Sequence, residues 1–342
     1  MSQPGSHHRE EDTPLVDLSQ PHDRLVKHLL SHPGTADAFF RERLPEPVVA
    51  RLAPDPPEPL EGSFVPDALS SFVSDRLFRM RLIHGPPLYI HLLIEHKSYP
   101  DRKVAWQMAR GIMAASEQFI RETGREWERV PAVLPVLVYH GASPWTHPHD
   151  LVSLMDADPE LWPWLMNFRF VLVDLSATAD PFLSRHARLR AGFLALKYGT
   201  RSPREQMEAL DQMVDALQGA PELLVPVMIY LMATFSFMRH ETVHEIVMRV
   251  KPKEEAEMMS IYARELIAKG RAEGEEIGKT LGERNRAVSM LLRLIKRKFG
   301  VDAAEVRGRV EAADLDTLDL WADRILDAGT LDEVFGEQAL AS

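Results

Sequence analysis

The chain has 342 residues, 45% of them hydrophobic and 27% charged, enough for a sizeable core and for two or three domains. It contains no cysteine, which excludes disulfides, zinc–thiolate centres and thiol nucleophiles, so any metal must be held by carboxylates, histidines or carbonyl oxygens. A formal charge of −11 argues against strong nonspecific binding of nucleic acid, although carboxylates awaiting divalent cations contribute to it, and a local basic surface suffices to hold phosphates.

Residues 1–20 are polar and charged and read as a disordered N-terminus. They lack the basic-then-apolar order of a secretory signal, so a cytoplasmic protein is expected. Leu25, Val26 and Leu29 fall at helical spacing and predict a short helix over Pro21 to Leu30. Six prolines between Pro45 and Pro59 then predict a loop. Phe72 to Ile83 and Leu88 to His96 are β-type runs joined by His84-Gly85-Pro86-Pro87, which reads as an antiparallel hairpin. Asp101 to Glu122 carries Ala105, Met108, Ile112, Ala115 and Phe119 on one helical face, with Pro100 and Asp101 suited to its start. Val133 to Tyr139 and Phe168 to Leu175 are short Val-rich runs that predict buried strands. This order predicts an α/β core over residues 21–180, a mixed sheet flanked by helices.

Helical patterns predominate from 181 to 250 and suggest a helical subdomain. Its apolar run Leu223 to Met238 spans only 16 residues and contains Pro226, Thr234 and Ser236, so a buried helix is expected and no membrane span. Residues 251–284 read as a charged helical linker with Gly270, Gly274, Gly278 and Gly282 at every fourth position. Each glycine costs about 1 kcal/mol relative to alanine, so this helix is marginal and a hinge is expected. Residues 285–336 read as a small helical domain, in which Val288, Leu291, Leu292, Ile295 and Phe299 form one apolar face and Gly300 stops the helix. Leu315, Leu318, Trp321 and Ile325 form another, giving a helical hairpin. The basic run Arg293, Lys296, Arg297 and Lys298 is either a nucleic-acid contact or a solvated face.

Chemistry concentrates in the β hairpin. On a strand, residues two apart share a face, so Glu95 and Lys97 point together while His96 points to the other side and reads as a packed histidine. Asp75, in the preceding β run, is folded back toward them by the turn. Two carboxylates, Asp75 and Glu95, supply the hard oxygen ligands that Mg²⁺ prefers, with Mn²⁺ or Ca²⁺ as alternatives. Such an ion lowers the pKa of an attacking water and neutralises charge in phosphodiester hydrolysis, and Lys97 would orient the water or stabilise the scissile phosphate. The bare spacing D-x(19)-E-x-K is also met by solvated ion pairs at strand ends.

The surrounding stretches are more specific. Pro21-His22-Asp23-Arg24-Leu25-Val26-Lys27, Gly62-Ser63-Phe64-Val65, Ser74-Asp75-Arg76-Leu77-Phe78, Ile94-Glu95-His96-Lys97-Ser98-Tyr99-Pro100-Asp101 and Pro135-Val136-Leu137-Val138-Tyr139-His140-Gly141 resemble, in order and spacing, the Rpn family of recombination-promoting nucleases, also described as YhgA-like transposases. That resemblance spans about residues 20–240. It implies a restriction-endonuclease-like fold of the PD-(D/E)XK superfamily, Asp75, Glu95 and Lys97 as catalytic residues, and double-stranded DNA as substrate in recombination or mobile elements. Members often carry glutamine where this chain has Lys97. The tail over about 285–335 is similar to a helical C-terminal domain of unknown function found on such proteins, and self-association through these helices is one expectation.

Four further residues are candidates to line the site. His22 and Asp23 belong to a matched stretch, though an Asp at a helix start is commonly a cap. Gln107 would contact a phosphate or water or is a surface glutamine, and Tyr139, with His140, either lines the site or closes the loop before Gly141. Two rival functions stay open: a noncatalytic nucleic-acid-binding or regulatory protein that keeps the nuclease fold, and an interaction scaffold built on the helical second half. A DDE transposase is disfavoured, because no third carboxylate stands at a matching position.

Overall fold

The computed structural model describes residues 21–60, 76–95, 99–123, 128–301 and 303–336. Two compact units divide the chain, one reaching Glu265 and one starting at Leu266.

The first unit is built on five strands, β1 (Glu58–Leu60), β2 (Arg76–Met80), β3 (Leu88–Glu95), β4 (Ala132–Tyr139) and β5 (Val171–Asp174), lying in that order across one sheet. β1, β2 and β3 are antiparallel neighbours, whereas β3, β4 and β5 run parallel. The hairpin turn contains Gly85 at φ 94°, the left-handed backbone that glycine adopts without a Cβ penalty. A parallel pair needs a crossover, and α4 (Val104–Thr123) supplies it between β3 and β4.

Alternation along the strands divides the core in two. Ile90, Leu92 and Ile94 of β3, with Val136 and Val138 of β4, enter the large core. There they meet α1 (Pro21–Ser31), α2 (Pro33–Arg43), α5 (Ala187–Tyr198), α6 (Pro203–Gln218), α7 (Leu224–Thr234) and α8 (His240–Val250). Leu93, Leu137 and Tyr139 point the other way, onto Val104, Ala105, Met108 and Ala109 of α4. Both faces of the parallel strands are thus covered, which is why they read as near-continuous apolar runs.

The mixed α/β class is as expected, with differences in detail. The proline-rich stretch read as a loop contains α3 (Glu46–Val49) and the edge strand β1, and α2 precedes it. α2 starts on Pro33 and buries Ala36, Phe39 and Phe40, too few apolar positions for a clear helical period. Residues 72–75 of the first β run lie outside the described residues, and that run continues past β2 to Leu82, which bridges to Leu52. Among the described residues, no helix is long and apolar enough to cross a membrane.

α9 (Glu255–Phe299) is one continuous helix of 45 residues. A Cβ built at Gly270, Gly274, Gly278 or Gly282 meets nothing within 4 Å among the described residues. α9 ends at Gly300, whose φ of 69° makes the expected stop. Where two helices were expected beyond residue 285, α10 (Ala303–Ala312) intervenes before α11 (Leu315–Asp327) and α12 (Leu331–Phe335). Its contribution to the core, Val306 and Val310, is too sparse to register as a periodic face. These helices share a second core with Leu291, Ile295, Leu318, Trp321 and Val334.

Candidate active site

Register fixes which chain positions meet at the strand ends. Arg76, the first residue of β2, pairs with Leu92, and Glu95, the last of β3, pairs in parallel with Tyr139, the last of β4. Asp75 immediately precedes Arg76 in the chain. Asp75, His96 and Lys97 themselves lie outside the described residues, and of Glu95 the structure describes the backbone.

The start of α1 packs at this end. Arg76 Nη2 lies 3.3 Å from each carboxylate oxygen of Asp23, and the two side chains are only 20% and 10% exposed. Asp23 is therefore a buried ion-pair partner of the hairpin. His22 lies beside it, its Nδ1 hydrogen-bonded at 2.9 Å to the hydroxyl of Tyr230 on α7. Burial pushes the Tyr230 phenol well above its ordinary value of 10, so that hydroxyl keeps its proton. The His22 ring is 4.9 Å from that of His140, which follows β4 directly.

His140 is fully buried, and its Nδ1 is 3.1 Å from the carbonyl oxygen of Leu196. A carbonyl only accepts, so Nδ1 carries the proton and a neutral His140 has its lone pair on Nε2. Thr200 donates at 2.7 Å to the His140 carbonyl. The structure thus joins His22, Asp23, Arg76, His140 and Tyr230 into one polar group on the large-core side of the sheet.

On the α4 side, Asp101 accepts the Lys103 backbone N–H at 2.9 Å and opens the helix, as its position predicts. Gln107, half-buried, follows about one turn later. Tyr139 is fully buried against α4; its hydroxyl donates to the Ser143 carbonyl at 2.8 Å and its ring stands edge-on to Trp145 at 5.2 Å. It closes the loop after β4. Tyr139 packs with Val104, Ala105 and Met108 of α4, whereas Leu25, Val26 and Leu29 of α1 lie in the large core.

Arg76 and Tyr230 were not singled out by sequence reasoning. Arg76 adjoins Asp75 within a matched stretch, and Tyr230 is the one aromatic hydroxyl within the apolar run of α7, a signal that a polar partner must be present. Among the described residues, no group of three or more His, Asp and Glu side chains is arranged to hold a metal. Asp23 already meets the Arg76 guanidinium, while Asp75 and the side chain of Glu95, the carboxylates expected to hold a cation, lie outside what the structure describes.

Comparison with known proteins gives the chain a family and relatives. The family described as "Putative transposase, YhgA-like" matches residues 20–228. The inactive recombination-promoting nuclease-like protein RpnE of Escherichia coli K12 is 27% identical over 308 residues, 87% of this chain and 97% of that protein. Recombination-promoting nuclease RpnA of the same strain is 30% identical over 251 residues, 72% of this chain and 83% of that protein. RpnD of Escherichia coli O157:H7, also named a recombination-promoting nuclease, is 34% identical over 198 residues, 57% and 74% of the two chains. No solved structure matches the chain.

Proposed function

This chain belongs to the YhgA-like transposase family, and from that premise we propose that it is a metal-dependent endonuclease that hydrolyses phosphodiester bonds, in DNA, in recombination. The observation that supports this reading is the strand register, in which Glu95 ends β3 beside Tyr139 and Arg76, the residue after Asp75 in the chain, opens β2 beside Leu92. Asp75 and Glu95 would hold Mg²⁺, which when bound supplies a water of lowered pKa and charge neutralisation at the phosphate. Lys97 orients the water and the scissile phosphate. The Asp23–Arg76 pair ties α1 to the first residue of β2, next in the chain to Asp75.

A second reading is favoured by one observation, that the relative covering 97% of its own length is named inactive. In that reading the chain binds nucleic acid without cleaving it. Incubation with supercoiled plasmid, linear duplex and single-stranded DNA, in Mg²⁺ and in EDTA, separates the two. Cleavage of duplex in Mg²⁺ and none in EDTA is expected. Binding without cleavage in either condition would transfer the assignment to the noncatalytic reading.

A further inference from the structure

The second unit carries a groove of about 600 Å³ between α9 and α10. Its floor is Val288 and Leu292, and its walls present Arg284, Arg293, Lys296 and Arg307 with Ser289 and Glu311. Several cations of this unit are committed elsewhere. Lys298 donates to the carbonyls of Ile325 and Leu326 at 2.6 and 2.8 Å, so it fastens the end of α11 and does not belong to the basic face. The Arg309 guanidinium lies 4.3 Å from the ring centre of Phe335. Arg284 donates to the backbone carbonyls of Glu311 and Ala313 and shapes the groove wall.

Lys296 and the terminal nitrogens of Arg293 are different, Arg293 giving its Nε to the Ser289 carbonyl at 3.3 Å. The two residues stand about one turn apart on α9, both exposed, and among the described residues neither forms an ion pair. Arg307 faces them from α10 and meets Glu311, the carboxylate of the groove, at 3.3 Å. The lining thus carries four cations against one carboxylate in a chain whose formal charge is −11. Such a local excess is costly to hold together unless an anion shares it.

We propose that this groove is a binding site for the phosphate backbone of nucleic acid, with Arg293, Lys296 and Arg307 on phosphate oxygens and the Val288–Leu292 floor against sugar. The guanidinium groups provide paired donors for phosphate oxygens and the ammonium a mobile point charge, and both release counterions from the nucleic acid on binding. No base-reading geometry is implied, so the contact adds affinity without sequence preference. The proposal rests on the proposed nucleic-acid substrate and gives the C-terminal unit a part in holding it.

The test is binding of the full chain to a short labelled duplex in EDTA, by fluorescence anisotropy across a salt series. Arg293→Glu with Lys296→Glu is compared with Arg271→Glu with Arg297→Glu, an equal change of charge at exposed positions outside the groove. Losing two phosphate contacts should lower the slope of log affinity against log salt by about 2 and weaken binding at about 0.1 M salt by at least about tenfold. The control pair should stay within about twofold of wild type by the same reasoning. Arg293→Gln with Lys296→Gln, which removes charge without reversing it, should show the same loss of slope. Equal losses in groove and control variants, or no loss in either, would overturn the proposal. So would tight binding of polyglutamate that the groove variants abolish while duplex binding is unchanged, since the occupant would then be an acidic protein. Groove-dependent binding by a chain that never cleaves in Mg²⁺ would fail the nuclease reading and leave the groove standing; cleavage with groove-independent binding would do the reverse.

Discussion

Replacing Asp23 with alanine removes one partner of a buried pair whose distances are 3.3 Å and whose side chains are 20% and 10% exposed. At that separation and an effective dielectric of about 20, the gross attraction is about 5 kcal/mol. Desolvation offsets much of it in the intact pair, but truncation leaves the Arg76 charge buried, which costs about 3–5 kcal/mol. Because Arg76 keeps some solvent access, about 3 kcal/mol is expected for Asp23→Ala, and less for Asp23→Asn, which still accepts a hydrogen bond. Part of the loss comes from the helix start, where an acidic residue contributes about 0.3–1 kcal/mol. Removing both charges isolates the pair: Asp23→Leu with Arg76→Leu should cost clearly less than the two single changes added together, with a coupling of about 2 kcal/mol. The assay is urea denaturation followed by tryptophan fluorescence, which reports this unit because five of the six tryptophans precede residue 170. A change below about 1 kcal/mol for Asp23→Ala, the level of an exposed pair, would show that Asp23 and Arg76 do not act as a buried pair.

Glycines on the two long helices should respond in opposite directions. A Cβ at Gly111 would overlap the buried His91 ring, so Gly111→Ala should lower stability by about 1–2 kcal/mol despite a better helix former, whereas Gly274→Ala, in open space, should raise it by up to about 1 kcal/mol in thermal melts. Ser202 and Glu205 form a capping box at the start of α6, and Ser202→Ala should cost about 1 kcal/mol at neutral pH. The Ser202 hydroxyl holds the Glu205 carboxyl below its ordinary 4.5; its contribution is present above that value and lost as pH falls through the lowered one, so the gap between variant and wild type should narrow in acid denaturation. Lys97→Gln should retain part of the cleavage rate, since an amide still orients water, and Lys97→Ala should lose much more; equal rates would remove Lys97 from its role. A fragment of residues 1–281 keeps the first core, which extends to Met258 and Tyr262, and ends before Val288, where the second begins. It should cleave at the same rate at saturating substrate while binding duplex more weakly, and a folded but inactive fragment would show that the C-terminal helices complete the active site.

Much of the sheet was legible because its strands are buried on both faces and read as apolar runs bounded by turns: Leu88–Glu95 and Ala132–Tyr139 lie within one residue of the runs read from the sequence. α2, β1 and α10 were not, since each contributes few apolar side chains and is held by its neighbours rather than by its own period. At the candidate site, His22 and Asp23 were marked through a matched stretch, but the reason for their presence there was hidden: the ion pair to Arg76 spans 53 residues and the hydrogen bond to Tyr230 spans 208. Contacts across such separations depend on helix packing, which strand and helix periods do not encode. Lys298 shows the same limit in the other direction, belonging by sequence to a basic run and by structure to the end of α11.

Asp75 and Glu95 are proposed to form the cleavage centre. This proposal is tested most directly by the Mg²⁺-dependent rate of duplex cleavage for Glu95→Ala and Asp75→Ala, measured beside wild type at equal concentration and with circular dichroism recorded on each. An unchanged spectrum and the disappearance of cleavage in both variants are expected, because each would lose a proposed oxygen ligand of the metal. A folded Glu95→Ala or Asp75→Ala variant that cleaves at close to the wild-type rate would contradict the proposal.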